Sequence, residues 1–175
     1  MKIQQVIEAI NQMRADGVIE RYAIGGAVGA TFYLEPVATL DVDIFVSFQP
    51  APGQILITLQ PLFEYSKSRG YRVEGEYVII ADWPVQFLPA ANALVEEAIE
   101  QAVETSVENT PTSVFSAEYL AAIALQTGRA KDKARLLQFL ESDVLDEHHF
   151  QAILERHGLT TQWRKFEQQF LGDEP

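Results

Sequence analysis

Apolar positions first recur at helical spacing at Val6, Ile7, Ile10 and Met13. They predict an amphipathic helix over residues 6–16, with Gly17 as its stop. Arg21 to Ile24 reads as a short strand. Gly25-Gly26 then turns the chain into a short helix near Ala27 to Tyr33, which Pro36 ends. Thr39 to Phe48 is almost unbroken apolar sequence apart from two acids, and is read as the central strand. Pro50, Pro52 and Gly53 mark a loop. Ile55 to Arg69 follows as a helix, with Pro61 predicting a kink or split. Beyond Gly70, Tyr71–Glu74 and Tyr77–Ala81 form a hairpin around Gly75-Glu76. Asp82-Trp83-Pro84 is a turn, and Val85–Leu88 is a further strand. This order of strands and helices predicts a small mixed sheet with flanking helices, an α/β (α+β) fold.

From residue 93 the pattern turns helical. Leu94, Ala98 and Val103 support one segment, and a Thr/Pro-containing link covers 109–113. Ser116 is the expected N-cap of Ala117–Gln126, which Gly128 ends. Three more helices are expected at Lys131–Leu140, Asp146–His157 and Gln162–Leu171, the last with Trp163, Phe166 and Phe170 as an apolar stripe. The expected organisation is a sheet-and-helix core over 1–92, with a helical C-terminal region over 93–175 packed on it.

Composition narrows the class. A chain of 175 residues with 47% hydrophobic and 22% charged residues builds an ordinary globular core. Without cysteine, disulfides and thiolate metal sites are excluded, which suits a reducing cytoplasm. The first residues lack the apolar core of a signal peptide, and no apolar run approaches the roughly 18 residues that a membrane span needs. A net charge of -12 repels nucleic-acid backbone and argues against broad DNA binding. A local basic groove could still hold a nucleotide, because charges are screened beyond about 8–10 Å.

The chemistry concentrates in Thr39-Leu40-Asp41-Val42-Asp43. With a strand period of two, Asp41 and Asp43 share one face, and Val42, Ile44 and Val46 share the other. Two carboxylates on one strand face repel each other unless a cation neutralises them, and Mg²⁺ or Mn²⁺ with substrate phosphates suits such oxygen donors. The competing reading is two solvent-facing acids on a half-buried strand. Thr39 would share their face and orient a carboxylate or phosphate. Gly25 and Gly26 allow close backbone approach to an anion, although a plain strand-to-helix turn also uses glycine. Arg129, Lys131, Lys133 and Arg135 place four of the 13 basic residues within seven positions. A solvated helix face is the default for such a run. Cations near a helix start oppose its dipole, however, and a bound triphosphate would reverse that. Lys131 and Arg135 lie on one face. His148, His149 and His157 lack metal-site spacing and read as surface or helix-end residues.

Ile24-Gly25-Gly26, Thr39-Leu40-Asp41-Val42-Asp43 and the Lys131-Asp132 segment together resemble the nucleotidyltransferase superfamily, the polymerase-beta-like fold. Within it the chain is similar to small bacterial AbiEii-type proteins, some of which are toxins. The resemblance implies Mg²⁺-dependent transfer of a nucleotidyl group from an NTP to a protein or RNA acceptor, and an antitoxin-like partner. It implies metal binding by Asp41 and Asp43, nucleotide binding by Gly25, Gly26, Thr39, Lys131 and Arg135, and catalytic roles for Asp41, Asp43 and Lys131. A third carboxylate is expected on the strand Val85-Gln86-Phe87, where this chain has Gln86, a poorer metal ligand and no base. The alternative is a catalytically impaired nucleotide- or protein-binding module.

Overall fold

The computed structural model describes residues 2–36, 38–48 and 58–172. The expected loop at Pro50–Gly53 and the first part of the helix expected from Ile55 lie outside these residues. Helix α1 spans Lys2–Ala15, strand β1 Arg21–Gly25, helix α2 Gly26–Ala30 and strand β2 Val42–Ser47. Helix α3 covers Gln60–Ser68, with Pro61 in its first turn, where a missing N–H costs nothing; Pro61 starts this helix rather than kinking it. Strands β3 (Arg72–Glu74), β4 (Tyr77–Ile80) and β5 (Trp83–Pro89) follow. Trp83, expected in a turn, opens β5. Ala81 and Asp82 make the turn alone, both at positive φ, as a tight two-residue hairpin requires.

After helix α4 (Ala93–Glu100) the structure departs from the helical expectation. Residues expected as the end of a helix and a link form strands β6 (Val103–Val107) and β7 (Thr110–Val114). Glu108 and Asn109, at φ 49° and 67°, make their turn. Pro111 masks the pattern, because proline cannot donate to a ladder. It is tolerated because β7 meets β1 only at Ile24 and Val114, so no ladder bond to β1 is asked of Pro111, which stays exposed while Asn11 Nδ2 of α1 donates to its carbonyl at 2.8 Å. Helices α5 (Ala117–Thr127), α6 (Ala130–Glu141), α7 (Glu147–Arg156) and α8 (Thr160–Phe166) complete the chain, with a π-helical turn over Glu167–Leu171. Ser116 caps α5 as expected. Trp163 and Phe166 are buried, whereas Phe170 is left exposed. His157 pairs with Glu97, tying the end of α7 to α4.

The seven strands form one mixed sheet in the order β3-β4-β5-β2-β1-β7-β6. Val42, Ile44 and Val46 are fully buried on one face, against Ile7, Ile10 and Met13 of α1 and Leu62 of α3. The other face packs under α4, α5 and the later helices, around Phe115, Tyr119, Leu120, Phe139 and Phe150. Burying either face removes apolar area from water at about 25 cal/mol per Å². The second face stops short of full coverage and leaves a cavity where β2 begins. No helix among the described residues is long and apolar enough to cross a membrane.

Candidate active site

Strand register brings distant residues into one row. Gly25 pairs with Asp43, Asp43 with Gln86, and Gln86 with Tyr77, across four neighbouring strands. Paired residues project to the same face, so Asp43, Gln86 and Tyr77 share the cavity side. Asp41 lies just before β2 rather than within it, as Thr39 does. Asp41, Asp43, Thr39, Gln86, Tyr77 and Gly26 nevertheless all line one cavity of about 880 Å³, and Lys131, Arg135 and Arg129 line it from α6 and its start. This volume lies within the range of small-molecule sites.

Each predicted residue has a definite place. The Tyr77 hydroxyl donates to Asp41 Oδ2 at 3.3 Å. Thr39 Oγ1 donates to the backbone carbonyl of Asp41 at 3.0 Å, so it shapes the approach to β2 instead of touching a carboxylate. Gly26 adopts φ +58°, and a Cβ there would collide with Asp43 Oδ2 and lie 2.9 Å from its Cγ. The glycine pair therefore divides its work. Gly26 makes room for the Asp43 carboxylate, whereas a Cβ on Gly25 would meet the rings of Phe45 at 2.5 Å and Phe115 at 3.1 Å, a packing requirement. Gly29 lets α2 pack on β1, since a Cβ would approach the Ile24 carbonyl to 2.9 Å. Gln86 Nε2 donates to Glu76 Oε2 at 3.2 Å, so the β3–β4 turn brings an acid beside the position where a carboxylate is expected.

The basic segment is built around a buried acid. Asp132, 3% exposed, accepts from Arg129 Nε at 2.7 Å, from Arg129 Nη2 at 3.3 Å and from the Arg129 backbone N–H at 3.2 Å. Arg135 Nη1 lies 3.9 Å from Asp132 Oδ1, the oxygen that also accepts from Arg129 Nη2. The Asp132 bond raises the Arg129 pKa further. Asp132 thus caps α6 and anchors two arginines at once. Lys133 leaves the group: its Nζ lies 5.8 Å from the centre of the Phe170 ring.

Electrostatics tie the two halves together. Burial pushes the Asp43 pKa above 3.8, the charge of Asp41 pushes it further, and Lys131, Arg135 and Arg129 pull it back. The charge of Asp41 is likewise the main cause of the raised Tyr77 pKa. Asp41 and Asp43 are a repelling pair of hard oxygen donors facing cations, and this donor set fits Mg²⁺ or Mn²⁺ bound together with phosphate. Among the described residues no group of three or more His, Cys, Asp or Glu forms a metal site. Tyr77, Asp132 and Arg129 complete the site. Asp132 could be suspected from its place beside Lys131, but no local signal marks Tyr77, which reaches Asp41 through strand order alone.

No family model matches the chain, and no curated protein matches it significantly. Solved structures do. An antigenic nucleotidyltransferase-like protein from Paracoccidioides brasiliensis superposes with a TM-score of 0.55 at 14% identity, covering 93% of this chain and 92% of that one. The chain has a nucleotidyltransferase-like fold. The same fold is seen in ANT(2")-Ia, solved in complex with adenylyl-2"-tobramycin, with a TM-score of 0.55 at 15% identity over 93% of this chain and 99% of that one. In this nucleotidyltransferase-like fold the acid-bearing strand β2 is central to the sheet, and α6 brings cations over its start.

Proposed function

We propose that the protein is a Mg²⁺-dependent nucleotidyltransferase that moves a nucleotidyl group from an NTP to an acceptor on protein or RNA. One observation carries this reading: Asp41, Asp43 and the Lys131/Arg135 pair converge on one cavity, and Asp43 feels each of the two cations. Asp41 and Asp43 would hold the divalent ion, which when bound neutralises phosphate charge and polarises the α-phosphate. Tyr77 keeps Asp41 oriented. Gly26 leaves Asp43 unobstructed. Lys131, Arg135 and Arg129 offer positive charge to the departing pyrophosphate, with Asp132 holding both arginines in place. The narrower likeness to AbiEii-type toxins, with an antitoxin-like partner, rests on the Gly-Gly, Thr-x-Asp-x-Asp and Lys-Asp segments, and the proposed cytoplasmic setting on the cysteine-free sequence.

Calorimetric titration of an NTP with Mg²⁺ and with chelator tests the reading. Binding should be tighter with the metal, and Lys131→Ala and Arg135→Ala should weaken triphosphate binding more than monophosphate binding. Equal affinity with and without metal would remove the two-carboxylate site. Incubation with labelled NTP, followed by a search for label on protein or RNA, then tests the transfer itself.

The second reading, a nucleotide- or protein-binding module without catalysis, is favoured by Gln86. Its amide is engaged with Glu76, and it offers no group to take the acceptor's proton. Gln86→Glu separates the two. The new carboxylate faces Glu76 and Asp43, so the variant should melt lower than the parent in chelator and recover with Mn²⁺. Its Mn²⁺ affinity should rise at least about tenfold. Transfer appearing or rising in this variant supports the enzyme; tighter metal binding without transfer supports the module. Unchanged metal affinity means that position 86 is outside the metal site.

A further inference from the structure

The cavity extends beyond the acids and cations. Along β2 the next residue on the cavity face after Asp43 is Phe45, and along β5 the next after Gln86 is Leu88. Two residues of strand advance about 6.6 Å. Over that step the floor changes from carboxylate and amide to aromatic and aliphatic. Phe115, fully buried, backs Phe45 with its ring centroid 4.9 Å away, and Leu120 and Ile123 of α5 close the space from above. The charged residues that line the cavity are Asp41, Asp43, Arg129, Lys131, Asp132 and Arg135, all near the start of β2 or on α6 and its N-cap. The apolar part therefore suits a neutral group rather than a polycation.

Two amides edge this apolar part. Asn92 Nδ2 donates to Gln126 Oε1 at 3.0 Å, and Asn92 Oδ1 accepts from the Val95 backbone N–H at 3.0 Å as the cap of α4. Each amide oxygen thus already accepts one hydrogen bond, and the Gln126 NH₂, a double donor, is the group of that amide turned away from Asn92. Gln126 is three residues before Arg129, a reach of at most about 10 Å, so a single nucleotide can meet both.

We propose that this apolar part is a nucleobase subsite and that Gln126, locked by Asn92, donates to a carbonyl-bearing base edge, favouring guanine and uracil over adenine. The proposal rests on the nucleotidyltransferase reading and adds the identity of the nucleotide. A base has apolar faces and a polar rim, which matches a slot between Phe45, Leu88, Leu120 and Ile123 with donors at its edge. Adenine offers an amino group where guanine and uracil offer a carbonyl, and donor facing donor is repulsive.

The test is calorimetry in Mg²⁺ with GTP, UTP, ATP and inorganic tripolyphosphate. GTP and UTP should bind about tenfold tighter than ATP, and every NTP tighter than tripolyphosphate. Gln126→Glu replaces the donors with acceptors and should move the order toward ATP, while Gln126→Leu should flatten it. Thermal melts of both variants verify folding. NTPs that bind no tighter than tripolyphosphate overturn the subsite but leave the phosphate and metal site standing. ATP preferred by the parent, or an order untouched by either variant, overturns the role of Gln126. Failure of tripolyphosphate and all NTPs to bind overturns the nucleotidyltransferase reading and the subsite with it.

Discussion

Gly26→Ala should cost the protein both stability and metal-dependent nucleotide binding. The residue sits at φ +58°, where an L side chain costs about 1–2 kcal/mol. The added methyl would also collide with the Asp43 carboxylate. The carboxylate cannot retreat freely, since Val42 and Ile44 on either side are fully buried and fix the strand. Gly158→Ala supplies the control: it has φ +67°, but nothing lies within 4 Å of its Cβ position. A loss of about 1–2 kcal/mol lowers the melting temperature by roughly 2–8 °C at this size. Gly158→Ala should show that loss and keep full nucleotide affinity. Gly26→Ala should melt lower still and lose at least about tenfold in Mg²⁺-NTP affinity, since one displaced ligand to a divalent ion exceeds 1.4 kcal/mol. Matching behaviour of the two variants would mean that Asp43 is not wedged against the Gly25-Gly26 turn.

Asp43→Asn should have the opposite effect on stability and a larger one on binding. Metal-dependent NTP binding and any transfer should be abolished, because one of two anionic ligands is gone. Stability in metal-free buffer should hold or rise. The sign follows from the raised pKa of Asp43, caused first by burial and then by the charge of Asp41. A carboxyl whose folded pKa exceeds its unfolded value binds its proton more tightly when folded. Stability is thus lost as pH rises from about 3.8, the unfolded value, through the higher folded one. Asparagine has no such proton. The difference in melting temperature, variant minus parent, should therefore grow across that window and level off above it. A variant that melts well below the parent at neutral pH would assign Asp43 a structural hydrogen-bonding role. Lys131, Arg135 and Arg129 oppose the shift, so removing any one of them from the parent should widen the difference.

Several parts of this protein were legible along the chain because they depend on neighbours in sequence. Helix α1, the cap of α5 by Ser116 and the burial of Val42, Ile44 and Val46 follow from periods of 3.6 and 2 and from the free N–H groups at a helix start. The β6–β7 hairpin is not legible in the sequence, for a related reason. Pro111 and the polar residues Thr110 and Thr112 read as a link, and the strand is tolerable because β7 pairs with β1 only at Val114, which asks no N–H of Pro111 on that side. Gly25 reads as half of an anion turn, but its lack of a side chain answers to Phe45 and Phe115, which lie 20 and 90 positions away.

The sequence by itself determined that two acids stand two residues apart beside a glycine turn, that a basic segment follows Gly128, and that strands and helices alternate. Those are consequences of local sterics and of the alternation of side chains along a strand. Only the tertiary structure decided that β5 lies beside β2, which sets Gln86 next to Asp43, and that β4 lies beside β5, which carries Tyr77 to Asp41. It also decided that Asp132 is buried and turns Arg129 and Arg135 into parts of one site, and that a cavity with an apolar side joins them. Strand order follows from which apolar faces can be covered together, a property of the whole chain. No window of sequence carries it, because contacts that decide the site link distant residues: Tyr77 meets Asp41 across 36 positions, and Lys131 acts on Asp43 across 88.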